Sequence, residues 1–101
     1  MPTEAQRRQI ELVSSSTSAY EAGRIRFQTL VDGLDLIWSS LDLDEEWMDD
    51  FRAEWFTLET ILAITIDEEA PTPWAPHHDD LVAGALRAFR RLCARAETLS
   101  R

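Results

Sequence analysis

Asp44-Glu45-Glu46-Trp47-Met48-Asp49-Asp50-Phe51-Arg52-Ala53-Glu54-Trp55-Phe56-Thr57-Leu58 opens the segment whose reading decides the fold. Its apolar side chains Trp47, Met48, Phe51, Trp55 and Leu58 continue to Leu62 and Ile66. At about 100° per residue those positions gather on one helical face. An Asp at 42 or 44 suits the start of such a helix, because its carboxylate can accept a free backbone N–H. Glu45 and Glu46 then stand near the positive end of the helix dipole. The spacing predicts a helix over 44–66. Ile61, Ile64, Phe56 and Ala63 fill other directions in its second half, so this helix is expected to be the central one, surrounded by protein.

Upstream, Phe27, Leu30, Val31, Leu34, Ile37, Trp38 and Leu41 repeat at steps of three and four, which predicts a helix over 25–41. Gly33 costs such a helix about 1 kcal/mol relative to Ala unless a neighbouring helix comes close there. Ile10, Val13 and Tyr20 predict a first helix over 4–22, interrupted by the poor helix formers Ser14-Ser15-Ser16-Thr17-Ser18 and ended by Gly23, which suits a left-handed cap. Downstream, Pro71, Pro73 and Pro76 forbid continuation, so 67–77 reads as a stiff loop. Trp74 in that loop is either a plug on the bundle's edge or an exposed aromatic contact. His77, His78 or Asp79 begins a last helix over 78–98, with Leu81, Val82, Ala85, Leu86, Phe89, Leu92, Cys93, Ala96 and Leu99 as its stripe. The expected fold is all-α: one domain over 1–101, a small four-helix bundle, mainly antiparallel, with a proline-rich loop before the last helix.

At 101 residues, 45% hydrophobic and 29% charged, the chain has the composition of a folded domain. All ten basic residues are Arg and the net charge is −9, which argues against nucleic acid or an anionic membrane as partner and for a cationic protein. Between Asp32 and Asp80 fifteen acids stand against Arg52 alone, while the flanks are slightly basic and the last helix bears Arg87, Arg90, Arg91 and Arg95. Folding is therefore expected to give one acidic surface and one Arg-bearing strip. Such acids are either a solvated face or a surface that steers a basic protein. Cys93 is the only cysteine, and no apolar run reaches signal-peptide or membrane-span length, so a cytoplasmic protein is expected.

The patterns of catalytic chemistry do not occur. Asp42-x-Asp44-x-Glu46 opens like a calcium loop, but Trp47 stands where the sharp turn needs Gly and Ala53 where a bidentate Glu is needed. No Glu has a His three residues on, as a di-iron bundle requires. His77-His78-Asp79-Asp80 reads as helix capping rather than a metal site, and Cys93 on the apolar stripe as an inert thiol. Glu54 and Glu59 border the aromatic face on opposite sides, a better arrangement for bonding a neighbouring helix's Arg than for paired acid–base work. No enzyme, metal or cofactor is expected.

The stretch Leu43 to Trp55, continuing through Leu58-Glu59 to Ile66, resembles the small acidic all-helical immunity proteins of bacterial toxin–immunity systems. The likeness lies in the Trp47, Phe51 and Trp55 spacing, followed by a loop and a final helix, and covers about residues 20–95. The resemblance implies a cytosolic inhibitor that binds and blocks a basic toxin domain. The expected binding residues are Asp42, Asp44, Glu45, Glu46, Asp49 and Asp50, with Trp47 or Trp74 as an apolar anchor. The alternative is a homo-oligomeric structural or regulatory protein in which Arg87, Arg90, Arg91 and Arg95 of one copy meet the acids of another.

Overall fold

A computed structural model describes residues 3–67, 69 and 72–99, with the side chains of 97–99 excepted. Four helices follow one another, α1 Glu4–Glu21, α2 Phe27–Ser40, α3 Glu45–Thr65 and α4 Pro76–Leu99, and the described residues contain no strand. The chain is an all-α four-helix bundle.

The Ser14–Ser18 run does not break α1, because both ends are fastened and the middle is packed. Thr3 accepts from the Gln6 backbone N–H and the Gln6 side chain accepts from the Thr3 N–H, a reciprocal pair that satisfies two otherwise orphaned donors. At the other end Gly23, at φ +75°, lets its own N–H reach Tyr20 O and the Arg24 N–H reach Ala19 O, so the last carbonyls are satisfied too. Inside the run Thr17 is buried, and its hydroxyl donates to Ser14 O at 2.9 Å.

Successive helices run antiparallel. Tyr20 stacks on Phe27 at one end of α1 and α2 while Gln6 donates to Asp42 O at the other. Trp38 donates to Met48 O and Trp55 to Val31 O between α2 and α3. Trp47 donates to Leu92 O at 2.8 Å, and Phe51 meets Phe89 edge-on at 4.9 Å, between α3 and α4. Cys93 Sγ approaches Ile10 O, closing α4 back onto α1. Each helix thus packs on two neighbours and the diagonal pairs stay apart. No helix is central. The expectation that α3 is surrounded fails: Phe56 is 60% and Ile64 40% exposed, and Ala63 also faces out. In a four-membered ring every helix keeps an outer face, whatever residues occupy it.

The core is continuous along the bundle, with Leu30, Leu34, Trp47, Phe51, Leu58 and Phe89 fully enclosed. The indole N–H groups of Trp38, Trp47 and Trp55 each donate to a main-chain carbonyl of an adjacent helix, which satisfies a donor withdrawn from solvent and fixes the relative height of the two helices. A Cβ added at Gly33 would meet nothing within 4 Å, so no neighbouring helix comes close enough there to explain the glycine.

The last helix begins at Pro76, earlier than 78, because a proline at the first helical position lacks only an N–H that would have no partner there. His78 is buried rather than displayed, and its Nδ1 accepts the Ala75 N–H at 2.9 Å. The Thr72 N–H donates to Ile64 O, holding the incoming loop against the end of α3. Positions 68, 70 and 71 of the expected stiff loop, including Pro71, lie outside the described residues.

Candidate functional site

Antiparallel packing sorts the acidic residues by height. The α2–α3 link and first turn of α3 place Asp42, Asp44, Glu45, Glu46 and Asp49 at one end of the bundle, all exposed. Asp67, Glu69, Asp79 and Asp80 gather at the other end, beyond the 21 residues of α3, a separation of about 30 Å. The acids expected to form one surface are therefore densest at two ends, with Asp32, Asp35, Glu54 and Glu59 along α2 and α3 between them.

At the first end Asp44 occupies the N-cap position of α3, but its carboxylate accepts no backbone N–H, contrary to the expected cap. Glu45 and Glu46 complete the first turn, where the helix dipole favours their charge. Asp42 is held through its backbone carbonyl, which accepts from Gln6 Nε2 at 2.7 Å, leaving the carboxylate outside. Asp50 differs from its neighbours: it is half-buried and bound to Arg95 of α4 at 2.8 Å. The other described ion pairs, Arg8–Glu4 and Arg90–Glu21, involve none of the expected binding residues. Arg52 lies over the Trp38 ring, 5.0 Å from its centroid.

Neither expected aromatic anchor belongs to this end as a contact. Trp47 has no exposed surface, and its indole N–H is taken by Leu92 O. It shares the stripe of Phe51 and Leu58, and the core claims it for the same reason. Trp74 is 41% exposed but lies at the opposite end, edge-on to Phe27 at 5.3 Å, with its N–H on Asp79 Oδ1 at 2.8 Å. It both seals the bundle's edge and shows one face to solvent. The exposed apolar residue nearer the acidic end is Leu36 on α2, 70% exposed between Asp35 and the serines Ser39 and Ser40. Its place off the stripe through Leu34 and Ile37 is the sequence signal for that exposure.

The remaining polar candidates resolve individually. Glu54 and Glu59 form no ion pair with described residues, so the expected bond to a neighbouring Arg is absent. Glu54 instead lines a cleft of about 360 Å³ between α3 and α4, with Asp50, Ala53, Ala88, Arg91, Leu92 and Arg95. His77 stacks on His78, and Asp79 is engaged by Trp74. Among the described residues no three His, Cys, Asp or Glu side chains gather as metal ligands would, and no helix is long and apolar enough to cross a membrane. Burial, and secondarily the Asp79 charge, raise the Tyr20 phenol above the ordinary 10.0.

Comparison with known proteins finds no matching family model, no matching curated protein and no matching solved structure.

Proposed function

We propose that this chain is a non-enzymatic binding protein of the bacterial toxin–immunity kind, acting in the cytoplasm by covering the cationic substrate surface of a toxin domain. The observation that carries the reading is the α2–α3 end. Asp42, Asp44, Glu45, Glu46 and Asp49 stand exposed within eight residues of chain, none in an ion pair with a described Arg. Held together unpaired, these carboxylates repel one another, and a partner's guanidinium and ammonium groups relieve that repulsion. Such a patch raises the rate of encounter with a basic surface, and an apolar contact such as Leu36, ringed by charge, slows separation.

The test is co-expression with candidate basic toxin domains, reading cell survival. The native chain is expected to protect. A variant with Asp42→Asn, Asp44→Asn, Glu45→Gln, Glu46→Gln and Asp49→Asn is expected to fold and to lose protection. Full protection by that variant would remove the acidic end from the mechanism.

A further inference from the structure

The outer face of α3 and α4 is complementary to itself, and from this we infer that it is the contact surface for a second copy of the chain. The α3–α4 cleft has an acidic wall on α3, Asp50 and Glu54, and a basic wall on α4, Arg91 and Arg95. Its floor of Ala53, Ala88 and Leu92 leaves the groove open to close approach. The Asp50–Arg95 bond across the groove sets the two walls at equal height. Glu54 and Arg91, the next pair along, face the same cleft without reaching each other as an ion pair. Two to three turns farther along the same faces stand Ile64 on α3 and Leu81 on α4, 40% and 49% exposed.

A two-fold axis parallel to the helices and lying along the groove places α3 of each copy over α4 of the other at unchanged height. Acid then meets arginine, with Glu54 against the second copy's Arg91, and Ile64 meets the second copy's Leu81. Every one of these contacts occurs twice. The operation fails on most surfaces, since a charged wall over its own height-mate meets either like charge or apolar surface. Here the two walls are opposite in sign, level and adjacent. The footprint, about 20 Å along α3 and two helices wide, is below the size of standard stable interfaces, so weak, reversible association is expected. The surface is separate from Asp42–Asp49, and the dimer it builds sets two acidic ends side by side. It stands or falls independently of what those ends bind.

The test uses the full chain in analytical ultracentrifugation at about 0.15 M salt, where repulsion between two chains of charge −9 is screened beyond about 8 Å. The native chain is expected to reach twice its 11.6 kDa mass reversibly. Glu54→Arg alone and Arg91→Glu alone each create two like-charge contacts and are expected to weaken the dimer by about 100-fold. An equimolar mixture of the two single variants restores opposite charges at both contacts only between different chains, so the mixture is expected to dimerise while its components do not. Leu81→Asp, at a half-exposed position outside the core, is expected to dissociate the native dimer. A native chain that stays monomeric at every concentration, single variants that dimerise unchanged, or a mixture that stays monomeric would each overturn the inference.

Discussion

Trp47 shows how far a single residue can be read from its neighbours in sequence. Its place in the helical stripe was legible and assigns it to the core, but the surrounding acids drew it toward a binding role. Nothing in the sequence marks Leu92 O as the acceptor of its indole N–H. Trp47→Phe keeps most of the volume and loses that bond, so a loss of about 1 kcal/mol is expected in urea unfolding, with binding to any partner unchanged. Tyr20 gives a second test at this scale. Folding raises its pKa, so the folded chain keeps the phenolic proton where the unfolded chain releases it. That stabilisation is full below 10.0 and is lost as pH rises through the higher folded value. As the only tyrosine, it is expected to show its tyrosinate absorbance above pH 10.0, and Asp79→Asn should move the transition back only in part, because burial is the larger cause.

The elements were legible to within a few residues, since steps of three and four specify a helix whatever it packs against. What periodicity cannot supply is the number of neighbours. The second half of α3 carries Phe56 and Ile64 off its stripe, and apolar type alone reads as burial, although the ring topology leaves both exposed. α1 hid a different signal, the Thr3-x-x-Gln6 box, which offsets the poor propensity of the serine run and lies at the margin of the helix. Gly33 tests the element scale directly. It sits mid-helix in α2 with open space where a Cβ would go, so Gly33→Ala is expected to stabilise the protein by about 0.5–1 kcal/mol and to raise the thermal midpoint by several degrees. A destabilised variant would mean that another element closes on α2 in solution.

For the whole molecule, composition established the excess of acid, but only the antiparallel order of the helices decides how it is distributed. Chain neighbours on opposite sides of a helix-length segment, such as Asp50 and Asp67, end about 25 Å apart, while distant residues such as Asp50 and Arg95 meet. The candidate site was thus legible as a run, Asp42 to Asp49, and illegible in its exceptions: Asp50 neutralised by α4, Trp47 enclosed, and Trp74 at the far end. The central claim is that the unpaired carboxylates of the α2–α3 end draw in a basic protein. The most direct measurement is the association rate with candidate basic toxin domains by stopped flow, for the native chain and for the five-fold neutralised variant, at two ionic strengths. The native rate is expected to fall about tenfold or more between about 0.01 and 0.15 M salt, and the variant is expected to start low and change little. Equal rates for the two proteins at low salt would contradict it.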